Sequence, residues 1–183
     1  MKNIILFVSL FFLFIFWCSE NTDSEQQKID FGPYSINISK EFKPTVASSF
    51  ENKRTKDKIA KVYVLPTNIW LDSFQKNMII WVLPNSRKVD SKSFTDISST
   101  NISKVFDNYN KTRLTKHSIN CSEQKIEIYK HSFEFTEKWT TKKYFISQWY
   151  WSDDDRMYVV SIWTDNESDT DIFDDYVDTI SCK

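Results

Sequence analysis

The sequence predicts an α+β domain, an antiparallel β-sheet with two helices packed on it, and three observations lead there. From Arg113 to Trp163 apolar residues recur at every second position, the period of half-buried strands. Two windows, 91–110 and 172–180, switch to helical spacing. The run Met78-Ile79-Ile80-Trp81-Val82-Leu83 is apolar throughout and stops at Pro84, as a central strand buried on both faces does. Helices packed on one antiparallel sheet form a layered architecture.

Taken in order, Tyr34-Ser35-Ile36-Asn37-Ile38 alternates as a strand. Lys40 to Pro44 breaks the pattern, and Thr45 to Phe50 reads as a short strand or an irregular segment. Glu51 to Lys58 is a charged loop, Ala60 to Leu65 a strand stopped by Pro66, and Asn68 to Asp72 a further short strand. In 91–110, Phe94, Ile97, Ile102, Val105, Phe106 and Tyr109 follow helical spacing, with Ser91 or Ser93 as cap. Ser98-Ser99-Thr100-Asn101 forms helix poorly, so a start at Thr100 is the alternative. Lys125 to Ile128, His131 to Glu137, Lys143 to Trp151 and Met157 to Trp163 are strands, the last two joined by a hairpin loop at Ser152-Asp153-Asp154-Asp155-Arg156. Ile172, Phe173, Tyr176, Val177 and Ile180 mark the closing amphipathic helix, which Ser168 or Thr170 can cap.

The amino terminus has another character. Lys2 precedes an uncharged run from Ile4 to Trp17, too short to span a bilayer comfortably, and the run ends abruptly at Cys18. Ser19 to Gln27 is polar and reads as a tether. The expected organisation is a signal peptide over 1–17, a lipid-attachment site and tether over 18–30, and one domain over 31–183. Ile15-Phe16-Trp17-Cys18 resembles the lipobox of bacterial lipoproteins. That resemblance implies cleavage before Cys18, palmitate or a similar acyl chain on it, and a place in the cell envelope, at the inner or outer membrane. The alternative is an ordinary export signal in which Cys18 is incidental. Two or more acyl chains make anchoring stable, at about 0.8 kcal/mol per buried methylene.

With Cys18 acylated, Cys121 and Cys182 remain as an even pair, and an exported compartment favours a disulfide between them. Two buried free thiols are the alternative. Export also disfavours a nucleic-acid partner. The chain carries 24 Lys/Arg against 25 Asp/Glu, unevenly placed: residues 40–151 hold 20 basic and 11 acidic, and residues 152–183 hold 2 and 10. A basic sheet beside an acidic helix explains this, and a basic face toward anionic headgroups is the functional reading.

The element order resembles the Mog1/PsbP-like α/β sandwich, including bacterial lipoproteins of the DcrB and LpqN kind. The carrying residues are Tyr34-Ser35-Ile36-Asn37-Ile38-Ser39, the meander of 113–163, and Met157-Tyr158-Val159-Val160-Ser161-Ile162 followed by a helix closing on Ile180-Ser181. The resemblance implies a binding, assembly or scaffold protein with an envelope partner and no shared catalytic site.

Catalytic and metal motifs are not found. His117 and His131 lie in predicted strands, away from zinc-type spacing. With Gly32 the only glycine, neither a nucleophile elbow nor a phosphate-cradling loop can be built. Asp165, Glu167, Asp169 and Asp171 start like a calcium loop, but Thr170 and Tyr176 stand where glycine and the bidentate glutamate belong. No catalytic residue, metal site or cofactor is therefore expected. What remains is aromatic. In strand 143–151, Tyr144, Ile146 and Tyr150 share one face, and Phe145, Trp149 and Trp151 the other. Aromatics on both faces call for a second covering layer, a partner, or an exposed patch. Trp149, Tyr150, Trp151 and Trp163 are the candidate binding face, used flat for a protein or as an aromatic-lined pocket for a hydrophobic or sugar ligand.

Overall fold

A computed structural model describes residues 25–45, 60–64, 76–106, 108–121, 124–136 and 141–183. The expected signal peptide, Cys18, the loop at 51–58 and the strand at 68–72 lie outside the described residues. The described elements are β1 Gln26–Phe31, β2 Tyr34–Ser39, β3 Lys43–Thr45, β4 Ala60–Val64, β5 Asn77–Pro84, α1 Ser91–Val105, β6 Asn110–Cys121, β7 Gln124–Thr136, β8 Lys143–Ser152, β9 Arg156–Thr164, α2 Asp169–Asp178 and β10 Ser181–Cys182. The α+β expectation holds, with two helices on antiparallel sheet.

The large sheet has seven strands in the order β3-β4-β5-β9-β8-β7-β6, and a small sheet runs β1-β2-β10. Register fixes which side chains share a face. Trp149 opposes Val160 and Trp151 opposes Tyr158, so their side chains share a face with Met78 and Ile80 on β5. That face is covered by Ile29, Phe31, Ile36 and Ile38 of the small sheet and by Phe173 and Val177 of α2. Tyr150 and Val159 point the other way, to Phe94 of α1. The aromatics on both faces are thus answered by two covering layers, one of them a sheet the sequence concealed.

Several expectations are corrected. β1 begins inside the expected tether, so residues 26–30 belong to the domain: Ile29 and Phe31 point inward, and the polar Gln26-Gln27-Lys28 ahead of them hide the alternation. The first helix starts at Ser91, not Thr100, and its cap is Asp90, whose carboxylate accepts from the Ser93 backbone N–H at 2.9 Å and from Ser93 Oγ at 2.7 Å. β7 is one continuous strand where the period suggested two. Ser168 stands at the start of α2 without a side-chain capping bond; Asp169 instead accepts from Thr164 Oγ1 at 2.8 Å.

Cys121 and Cys182 are joined as a disulfide with Cα atoms 5.3 Å apart, bringing β10 to the end of β6. Part of the uneven charge is paired internally. Lys130 meets Asp174 at 2.5 Å, Lys142 meets Asp165 at 2.8 Å and Lys76 meets Asp169 at 2.6 Å, so basic strands neutralise acidic α2 and its approach.

Candidate functional site

The expected aromatic face does not exist as a surface. Trp149, Tyr150 and Trp151 are 1, 2 and 0% exposed, because the small sheet, α2 and α1 cover them. Trp163 is half-buried and opposes Ile146, on the face opposite Trp149, so the two tryptophans cannot line one pocket. Trp163 packs instead with Phe106 and Phe135, at centroid distances of 5.8 and 6.3 Å. His117 is exposed beside Thr115 Oγ1, and buried His131 meets the Tyr109 hydroxyl at 2.8 Å. Among the described residues, no group of three or more His, Cys, Asp or Glu is placed to hold a metal ion.

A cleft of about 850 Å³ lies elsewhere, where four chain segments converge at one end of the sheet. They are the β1–β2 turn, the β8–β9 turn, the first turn of α1 and the start of β7. The β8–β9 turn is shaped by Asp153. Its Oδ1 accepts from the backbone N–H groups of Asp155 at 2.9 Å and Arg156 at 2.7 Å, and its Oδ2 accepts from the Tyr158 hydroxyl at 2.8 Å. Buried Asn85 ties this turn to the approach of α1, donating from Nδ2 to Asp153 O at 2.8 Å and to Val89 O at 3.0 Å. Ser152 N–H donates to Ser91 Oγ at 3.0 Å, fixing the helix start beside the turn. Every polar atom named here is satisfied by another part of the rim, so the cleft is preformed.

The β1–β2 turn supplies the third wall. Gly32 has φ of +62°, a left-handed conformation that favours glycine. A Cβ there would come within 3.2 Å of Tyr158 and 3.3 Å of Arg156 Nη1. The chain's single glycine thus serves a left-handed backbone and the close packing of Tyr158 against the turn. Beneath it Tyr34, Trp151 and Tyr158 pack together: Trp151 stacks on Tyr158 at 5.4 Å, and Tyr34 stands edge-on to both.

The electrostatics follow from burial and pairing. Desolvation pushes the Tyr158 phenol well above its ordinary value, and its hydrogen bond to Asp153 adds to the shift. Tyr34 is raised by desolvation and then by the nearby Asp153 charge. Both phenols remain protonated at neutral pH. Asp90 is held low, first by the Ser93 backbone N–H. Glu127 is held low by Lys116 and then by the Tyr129 hydroxyl, which donates to it at 3.0 Å. Asp155 pairs with Lys88 at 3.6 Å. Lys92, Lys125 and Arg156 also line the cleft, and none forms an ion pair among the described residues. Such a site can grip and orient a ligand through charged side chains held on a fixed rim.

Sequence reasoning read Asp153 to Arg156 as a turn and did not place Tyr34, Lys92 or Lys125 in a site. The usable signal was the lone glycine, next to Pro33-Tyr34 in a chain that otherwise avoids glycine.

No protein-family model matches the chain, and no curated protein matches it in sequence. Solved structures match it in fold. It is similar to the Ran-binding protein Mog1p of Saccharomyces cerevisiae at 12% identity and a TM-score of 0.53, over 86% of this chain and 95% of that one. It is similar to cyanobacterial PsbP from Synechocystis at 9% identity and a TM-score of 0.55, over 91% and 97%. A Pseudomonas aeruginosa protein of unknown function, PA94, matches at 8% and 0.52, over 85% and 95%. Identities this low speak for the fold alone. The architecture is that of the Mog1/PsbP-like α+β class.

Proposed function

We propose that this chain is a membrane-anchored envelope lipoprotein whose domain binds or scaffolds a protein partner through the cleft at the β8–β9 turn, without catalysis of its own. The observation that carries the reading is the commitment of the cleft's reactive groups. The phenols are kept protonated, Ser91 and Ser152 hydrogen-bond within the rim, and the acids cap a helix, shape a turn or pair with lysines. A preformed surface of this kind suits recognition better than proton transfer. A binding role also accords with the fold likeness to Mog1p, a Ran-binding protein.

The Cys121–Cys182 bond supports export, and it leaves Cys18 as the cysteine available for acylation. The chain enters β1 at Gln26, and the Gly32 turn lies at the other end of that strand, about 20 Å away. The first described strand thus begins at the end of the domain remote from the cleft. The aromatic-pocket reading for a hydrophobic or sugar ligand loses its lining, since Trp149 is core and Trp163 stands on the other face.

Palmitate labelling in the native host, with Cys18→Ala as the comparison, tests the anchor; equal labelling of both, or of neither, removes it. A photo-crosslinking residue at exposed Asp154 tests the cleft against one at exposed Ile172. A discrete adduct from position 154 alone is expected. Adducts from 172 alone place the partner elsewhere.

A further inference from the structure

We infer that the Cys121–Cys182 disulfide is a redox-sensitive latch that holds one wall of the cleft in place, so that reduction by a dithiol opens the cleft; this rests on the cleft being the binding site. The wall concerned is the start of β7, where Lys125, Ile126, Glu127 and Tyr129 line the cleft. Its support from the large sheet is incomplete. β7 pairs with β8 only from Tyr129, opposite Tyr150, onward. Ahead of Tyr129, β7 pairs with β6 alone, from Ile128 opposite His117 to Gln124 opposite Cys121. β6 is the edge strand of its sheet. Residues 117–121 and 124–128 therefore overhang the sheet as a two-stranded ribbon, and such a ribbon is marginal by itself in water.

The disulfide fastens this ribbon at its tip. Cys121 is the last residue of β6, and Cys182 lies in β10, opposite Tyr34 of β2. Pro33 and Tyr34 form the facing wall of the cleft, and the Lys183 backbone N–H donates to Pro33 O at 2.9 Å. The bond thus spans two walls that belong to different sheets. Among the described residues no backbone ladder joins those sheets. The remaining hold on the ribbon is apolar packing, with Ile128 fully buried and Ile119 and Ile126 half-buried against the core. The facing wall is better seated, since Tyr34 packs edge-on to Trp151 and Tyr158. Release of the bond should therefore move the ribbon, about a hinge where β8 takes up β7, and leave the rest of the fold in place. Cys182 is half-buried and Cys121 nearly buried, so Cys182 Sγ is the sulfur open to attack. A thiolate of the dithiol bonds to it, the Cys121–Cys182 bond breaks, and Cys121 leaves as a thiolate that takes a proton from water. The second thiol of the reductant then closes its own disulfide and releases Cys182, so two electrons pass to the protein.

The test takes the full chain in detergent with dithiothreitol as the dithiol, and mass spectrometry after alkylation counts the thiols. Reduction is expected to speed amide exchange over residues 117–121 and 124–128 at least about tenfold, while β8 and β9 keep their protection. In host membranes the adduct from the crosslinker at position 154 is expected to fall by a similar factor. Cys121→Ser/Cys182→Ser is expected to reproduce the reduced pattern, with dithiothreitol adding nothing. A bond that resists dithiothreitol in the folded protein, or unchanged exchange over the ribbon once it is reduced, overturns the inference. So does faster exchange across β8 and β9 as well, which makes the bond a requirement of the whole fold. An adduct that forms equally in both states sinks the latch and leaves the cleft standing. No adduct in either state removes the cleft and the latch with it.

Discussion

Tyr158 illustrates how much a single residue can carry. Its ring stacks on Trp151, its hydroxyl reaches Asp153, and its edge sets the space over Gly32. A phenol whose folded-state pKa lies above its unfolded value stabilises the fold fully below about pH 10. That contribution is lost as pH rises from there through the folded value. Tyr34 and Tyr150 shift in the same direction, chiefly through desolvation. The domain should therefore lose stability steeply above about pH 10, and Tyr158→Phe should flatten the loss; alkaline denaturation midpoints measure both. At the neighbouring turn, Gly32→Ala should cost about 1 kcal/mol or more in urea denaturation, from the left-handed backbone and the crowding of Tyr158 together. Neither role could be seen from Tyr158's place in an alternating strand. Gly32's rarity was visible, but its neighbours across the turn were not.

Elements were legible where one face stays buried along their whole length. β8 and β9 keep their phase, so the period named them correctly. β7 does not. Ile126 and Ile128 are covered by the small sheet side, whereas Phe133 and Phe135 meet Phe106 on the other, so burial changes face within one strand. The alternation breaks there although the backbone continues. β1 failed for a related reason, since only its last residues point inward. The disulfide was legible from cysteine parity and compartment, and its structural role is at this scale. It closes a sequence separation of 61 residues and holds the two-residue β10 against β2 and β6. Breaking it with Cys182→Ser should lower stability by about 2–4 kcal/mol in chemical denaturation, with the amide protection of β10 lost first.

Across the whole molecule the charge asymmetry was correctly located, and part of it is paired inside the fold. Among the described ion pairs the most buried lysine is Lys130, paired with Asp174, and Lys130 also lies 5.3 Å from the Trp149 ring. Removing one partner leaves a buried ammonium unmatched, so Asp174→Asn should cost about 3 kcal/mol in thermal or urea unfolding. Lys130→Met combined with Asp174→Asn should recover most of that loss. The candidate site was the least legible part because it belongs to no single segment. Each of its walls reads as an ordinary turn or cap, and only the fold brings them together.

The two coverings of the large sheet are unequal. One is a thick apolar seam from β1, β2 and α2, while the other is formed by Phe94 of α1 and by Phe106 packed on Phe133, Phe135 and Trp163. Within α1, Thr95, Thr100 and Ser103 bend their hydroxyls back onto helix carbonyls, which weakens a helix further. The laminate should thus peel on that side first, with α1 exchanging its amide hydrogens through a partial opening while β2, β8 and β9 exchange only on global unfolding. Because Lys92 and Ser91 begin that helix, peeling it dismantles one wall of the cleft. Any molecule held there acts as a clamp on the weaker side, and its occupancy would be read as slowed exchange along α1, well beyond the residues it touches.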